Sequence, residues 1–225
     1  FVELFVFIGD ALFLDRAVES LRGSLRFFQG GRVHSFANHN VFLAAEIFRA
    51  TRHVSLPDLV LAADEMLDYS VQWYDQPDGQ WYYTPARFQE QTFGARDALY
   101  MANTLAPLLR LDNGMFEEVA RDVSVESVLE FVDSGGLISS GPGYGTNTEN
   151  AGVIIDLLLS LPRPLDGSEL VVVRRAVSTL VASQLDNGNL ARFPDSEVSD
   201  PWYGDDAVAA LAFHLFSGAL PEALE

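Results

Sequence analysis

The sequence predicts an all-α fold of repeated helical hairpins, closed into an α/α toroid or left as an open arc. Three observations carry this prediction. A phrase of helix, Gly- and Asp-rich turn, aromatic loop and second helix occurs four times, with turn glycines roughly 50 residues apart, a spacing found in repeat architectures. Two kinds of helix alternate, one amphipathic and one apolar on nearly every side. No alternation of apolar and polar residues is long enough for a substantial strand, so β structure should be minor.

The elements follow in chain order. The first outer helix is expected over 11–28 and ends in Phe27-Phe28-Gln29-Gly30-Gly31; its inner partner starts near Asn38-His39-Asn40 and reaches residue 50. The second turn reads Gln72-Trp73-Tyr74-Asp75-Gln76-Pro77-Asp78-Gly79-Gln80-Trp81, with an inner helix from near Asp97. A third outer helix is expected over 115–132, where Glu117, Glu118, Asp122, Glu126 and Glu130 interleave with Val and Leu at helical spacing. It leads to Phe131-Val132-Asp133-Ser134-Gly135-Gly136-Leu137 and an inner helix from about Asn147. The fourth turn is Gln184-Leu185-Asp186-Asn187-Gly188-Asn189-Leu190, with an inner helix over 207–216. Inner segments such as Ala151-Gly152-Val153-Ile154-Ile155-Asp156-Leu157-Leu158-Leu159 are apolar all round, which means buried all round. Residues 1–8 have the form of an inner-helix tail and 220–225 that of an outer-helix start. The whole chain is therefore expected to be one domain, 1–225, belonging to a longer parent and incomplete at its N-terminal side.

The composition narrows the function classes. The 225 residues carry 14 basic against 32 acidic side chains, a formal charge of −18, and every basic residue is Arg. Nucleic acid and anionic membrane surfaces need clustered cations, so neither is an expected partner. The absence of Cys excludes disulfides, thiol nucleophiles and Cys-ligated metals. No His, Asp or Glu spacing suits a metal site, no cofactor motif is present, and no stretch reaches the length of a membrane span. The loop Gly141-Pro142-Gly143-Tyr144-Gly145 lacks the Lys-Ser/Thr that a phosphate loop requires. The acidic, Lys-free surface has two readings: adaptation to a high-salt, halophilic cytoplasm, or a codon bias that replaces Lys by Arg.

The phrase running from Gln72 through Pro77-Asp78-Gly79 to Trp81 resembles the prenyltransferase and squalene-cyclase type of helical repeat, and also occurs in six-hairpin glycosidases. It marks the architecture over most of the chain. Physically, Asp-Gly closes a helix through a left-handed residue, and Trp covers the junction between layers. Trp202-Tyr203-Gly204-Asp205-Asp206 resembles the proton-donating segment of class II terpenoid cyclases, although Tyr203 replaces its first Asp. That resemblance implies Asp205 as a general acid. Asn38-His39-Asn40, leading into Leu43-Ala44-Ala45-Glu46, resembles the inner-helix start of toroid polysaccharide lyases. There the Asn would neutralise a uronate carboxylate while His or Tyr moves the proton.

In a toroid the outer-to-inner loops open onto the central cavity, which supplies the candidate residues. Asp205, Asp206, Glu90 and Asp97 are the carboxylates considered for catalysis, with His39 and Tyr83 as proton movers. Trp81, Tyr82, Arg87, Asn38, Tyr144, Asn147, Trp202 and Tyr203 are the candidates for holding substrate. Aromatic faces beside carboxylates suit a stacked sugar ring and general acid–base chemistry. Asn38, Asp97, Asn147 and Asp205 also stand where helix N-caps belong, and a cap contributes about 1 kcal/mol on its own. Trp81, Tyr82 and Tyr83 cannot all face one core, so at least one is expected at the cavity or an interface. The expected activity is glycan hydrolysis or lyase chemistry. A terpenoid-cyclase or prenyl-chain enzyme and a non-catalytic binding scaffold are the alternatives.

Overall fold

The structure, a computed structural model, describes residues 8–75, 77–110, 118–138, 148–187 and 189–191. Among them are eight α-helices: α1 (Ala11–Ser24), α2 (Ala37–Thr51), α3 (Pro57–Val71), α4 (Pro85–Glu90), α5 (Ala95–Leu109), α6 (Glu118–Leu129), α7 (Thr148–Leu159) and α8 (Gly167–Ala182). Tyr74–Asp75 (β1) and Gln80–Trp81 (β2) form an antiparallel pair, with Tyr74 opposite Trp81. All but Ile8 of the expected inner-helix tail at 1–8, the loop 141–145, the inner helix at 207–216 and the outer-helix start at 220–225 lie outside the described residues.

The two helix types occupy two layers. α2, α5 and α7 form the inner layer, with α5 packed on both others. Most of their residues are buried: on α7 this includes the run 150–155 together with Leu157 and Leu158. The outer helices bury one stripe each, as an amphipathic helix should. On α3 the stripe is Leu59, Ala62, Ala63, Met66, Leu67 and Ser70; on α8 it is Glu169, Val173, Ala176 and Leu180. α2 packs against α3, the outer helix of the next hairpin, and α7 likewise against α8. Each hairpin is thus completed by its successor.

The recurring turns make that connection. Each ends in a short antiparallel contact: Gln29 with Arg32, β1 with β2, Val132 with Ile138, and Gln184 with Leu190. The second turn lies on α6, where Tyr74 Oη and Ser124 Oγ are 2.8 Å apart and Ser127 Oγ donates to the Asp78 carbonyl at 3.1 Å. The third lies on α8, where Thr179 Oγ1 donates to the Gly135 carbonyl at 2.9 Å. Gly79 and Gly136 sit at positive φ (+62° and +77°) against these helices. A Cβ on Gly79 would stand 2.4 Å from Val123 Cγ1, and one on Gly136 2.6 Å from Ala176 N. Both the backbone conformation and the close approach therefore require glycine. Trp81 is buried between the layers; its indole N–H donates to the Ser70 carbonyl at 2.9 Å and its backbone N–H to Met101 Sδ at 3.1 Å.

Local chemistry sets the helix boundaries. Asp10 caps α1 by accepting from Leu12 N at 2.9 Å. At α8, Asp166 accepts from Ser168 N and Glu169 N while Glu169 accepts from Asp166 N, a reciprocal capping box. Glu169 is buried and takes two 2.8 Å hydrogen bonds from Arg163, which also reaches Asp122 of α6 at 3.3 Å. The first outer helix is shorter than 11–28: it stops at Ser24 and continues as a 3₁₀ turn, Leu25–Phe27, because Phe28 turns extended to enter the glycine turn. α4 was not anticipated. Its signal is Thr84-Pro85, with Thr84 Oγ1 accepting from Arg87 N at 3.4 Å and proline in the first turn.

The inner helices run parallel, so their two ends differ. Near the C-terminal ends, Arg110 reaches across from α5 to Asp156 of α7 and donates to Ser160 Oγ at 3.2 Å. Arg49 donates to Glu46 at 3.0 Å beside them on α2. Burial raises the Glu46 pKa and lowers that of Arg49 to about 10. The N-terminal ends carry the candidate site.

Candidate functional site

The site is assembled by one fully buried amide. Asn40, in the first turn of α2, accepts from Val33 N (2.9 Å) and His34 N (3.2 Å) through Oδ1. Its Nδ2 donates to the carbonyls of His34 and Phe36, both at 2.8 Å. All four of its hydrogen-bonding positions are used, which is how a buried amide avoids a desolvation cost. The loop carrying His34 and Phe36 is thereby held to the helix carrying His39. The next repeat is joined on by Ala37 N, which donates to the Tyr83 carbonyl at 3.2 Å.

These links gather aromatic rings from two repeats. His34 and His39 have ring centroids 4.5 Å apart, and Phe36 lies 4.7 Å from His34 and 6.0 Å from His39. Phe36 also meets Tyr83 at 5.5 Å and Tyr100 at 6.1 Å, and those two rings are 4.9 Å apart. The Arg96 guanidinium stands over both tyrosines, 5.4 and 5.6 Å from their centroids. Cation–π contacts of this kind contribute about 0.5–1 kcal/mol each at accessible sites. His34 and His39 are exposed, and Phe36, Tyr83, Arg96 and Tyr100 are half-buried. Phe42, one turn below His39, is 54% exposed, large for an aromatic ring on an inner helix. Partial desolvation, and then repulsion from His34, lower the His39 pKa.

The arrangement brings His39 and Tyr83 to one cluster and leaves other candidates elsewhere. Asp97 is fully buried, with Oδ2 accepting from Arg87 Nη2 at 2.5 Å and from Gly94 N at 3.0 Å. It is the third residue of α5 and not its N-cap; its carboxylate is occupied in holding α4 to the start of α5. Arg87 is correspondingly an ion-pair partner, and Asp97 raises its pKa. Asn38 is likewise not a cap, since the N-cap of α2 is Phe36 without a side-chain bond. Asn38 is buried in the first turn of α2, with Oδ1 lacking a hydrogen-bond partner. Trp81 and Tyr82 are buried: Trp81 spans the layers, and Tyr82 packs edge-on to Phe88 and Phe93, both at 5.6 Å. Of the three consecutive aromatics, Tyr83 is the one at the open cluster. Glu90 is exposed at the end of α4. Tyr144, Asn147, Trp202, Tyr203, Asp205 and Asp206 lie outside the described residues.

Phe36, Arg96 and Tyr100 were not among the sequence candidates. Arg96 and Tyr100 are four apart and share a helix face. Phe36, however, reaches Tyr100 across 64 positions of sequence, and no local pattern announces that contact. Among the described residues, no three His, Asp or Glu side chains stand together as a cation site. No helix there is long and apolar enough to cross a membrane.

Solved structures of similar shape complete the description. A glycosyl hydrolase family 88 protein from Bacteroides vulgatus superposes with a TM-score of 0.63 at 14% identity, covering 95% of this chain and 71% of that one. The fold is an α/α toroid. A polysaccharide lyase matches with a TM-score of 0.62 at 16% identity over 99% of this chain and 70% of its own. A possible member of the GH105 family from Salmonella enterica gives 0.64 at 14% identity, over 96% and 69%. No family model and no curated protein matches the sequence. At these identities the likeness concerns the fold.

The Arg87–Asp97 pair yields a direct test. Arg87→Ala leaves a fully buried carboxylate without its cation and is expected to cost about 3 kcal/mol, the lower end of the range for breaking a buried pair because Arg87 is 33% exposed. Denaturant unfolding measures it. Unchanged stability would return Asp97 to the list of carboxylates free for chemistry.

Proposed function

We propose that this toroid is carbohydrate-active, with the cluster of His39, Tyr83 and Arg96 as the place where an acidic sugar is bound and cleaved by β-elimination. The observation that carries the reading is the convergence, at the inner-helix N-termini, of two proton-moving side chains and a cation on an aromatic platform. In such a step His39 takes the proton from the carbon bearing the carboxylate. A C=C bond forms, the glycosidic C–O bond breaks, and the departing oxygen takes a proton from Tyr83. Arg96 would stabilise the charge that develops on the carboxylate, and Phe42 offers a face for the ring. The reaction needs no water and no second carboxylate.

Hydrolysis is the second reading. It draws on Asp205 and Asp206, and the occupation of Asp97 by Arg87 weighs against a catalytic pair that includes that residue. The glycosyl hydrolase and polysaccharide lyase neighbours agree with either reading at the level of fold. The test is incubation of the full chain, in high salt, with polyuronates and with neutral polysaccharides. Elimination produces an ultraviolet-absorbing unsaturated uronate, and hydrolysis produces reducing ends without that absorbance. Cleavage of neutral chains alone, or of none, would overturn the proposal.

A further inference from the structure

His34 lies outside the set of residues assigned a step above, yet it is held as firmly as any group in the cluster. Its Nδ1 accepts the backbone N–H of Phe36 at 3.0 Å, so the neutral ring carries its proton on Nε2. The segment that bears it is pinned by Asn40 through two N–H groups and two carbonyls. The His39 ring lies against this fixed ring at 4.5 Å with an interplanar angle of 49°.

We propose that His34 is a positioning residue for His39: a ring locked to the backbone, it sets the orientation of the His39 imidazole and presents it to the cluster as a proton acceptor. The inference rests on the reading of His39 as the base. The ionisable group in contact with His39 is His34 from the loop; Tyr83 from the segment after β2 and Tyr100 from α5 join the cluster through Phe36, which lies between them and His39, and Arg96 through the two tyrosines. None of them is a carboxylate, so among the described residues nothing in the cluster favours a protonated imidazole. Repulsion between two imidazolium rings adds to the desolvation that already lowers the His39 pKa. A partner that resists its protonation keeps a base ready near neutral pH.

Two substitutions separate the bond from the ring. In His34→Asn the side-chain oxygen accepts the same N–H two residues on, as Asn commonly does in turns, but the ring and its charge are gone. In His34→Phe the ring remains without charge. The His39 titration, followed by NMR in the free protein, is expected to move upward in both variants. The acid limb of the pH–rate profile for polyuronate cleavage should move the same way, with kcat reduced more in His34→Asn, which lacks the platform. A His39 titration that stays in place in both variants would overturn the proposal. The unsubstituted protein provides a check that needs no variant to fold: the His39 titration is expected below the ordinary imidazole value, and a titration at that value counts against coupling. Coupling with no cleavage counts against the elimination reading alone; cleavage without coupling counts against the role of His34.

Discussion

Replacing Gly136 with Ala is expected to lower stability by about 2–5 kcal/mol. Two independent costs add. The residue sits at φ +77°, a left-handed conformation that costs a side-chain-bearing residue about 1–2 kcal/mol. The new Cβ would also stand 2.6 Å from Ala176 N and 2.8 Å from the Val172 carbonyl, both backbone atoms of α8 that no rotamer change can move. Overpacking of this kind costs about 1–3 kcal/mol. Gly30 makes a sharp control: it too has positive φ (+60°), but nothing lies within 4 Å of its would-be Cβ. Gly30→Ala should show the conformational part alone. Equal losses in the two variants would mean that the turn does not pack on the next outer helix as described. The measurement is the midpoint of urea unfolding at constant slope.

The second large effect concerns activity. Under the proposed elimination, His39→Ala and Tyr83→Phe should each reduce kcat by about 10²–10⁴-fold, the range associated with a positioned proton-transfer group. The fold should survive both changes, because His39 is exposed and Tyr83 retains its ring against Phe36 and Tyr100. Only neutral His39 can accept a proton, so activity falls as pH drops through its pKa. Desolvation and His34 lower that pKa. The acid limb should therefore lie below the ordinary imidazole value of about 6.5, and the proposed activity should persist to lower pH than a solvated histidine would allow. An acid limb above that value would remove His39 from the role of base. Full activity in Tyr83→Phe would remove Tyr83 from the role of acid.

The candidate site was partly legible in the residues. His39 and Tyr83, which the structure brings to one ring cluster, were candidates because toroid logic directs attention to inner-helix starts and to the loops before them. Trp81 and Tyr82 were selected by the same logic, but they are buried. Three adjacent aromatics must diverge, and the sequence does not say which of them turns outward. Asp97 shows the same limit. A carboxylate at a helix start reads alike as a cap, an acid or an ion-pair partner, and the position of Arg87, ten residues earlier on a helix that was not foreseen, decides among them.

What the amino-acid sequence by itself determined is the class of fold and its layering. The distribution of apolar residues along a helix dictates how many of its sides must leave water, and a recurring glycine-containing turn marks the link from each outer helix to the next inner one. The tertiary structure alone decided which side chains meet at the inner-helix ends. His34, Phe36 and His39 meet Tyr83, Arg96 and Tyr100 only because Asn40 folds one loop back and Ala37 receives the next repeat. Contacts such as those of Phe36 with Tyr83 and Tyr100 depend on how hairpins dock, and no local periodicity encodes docking.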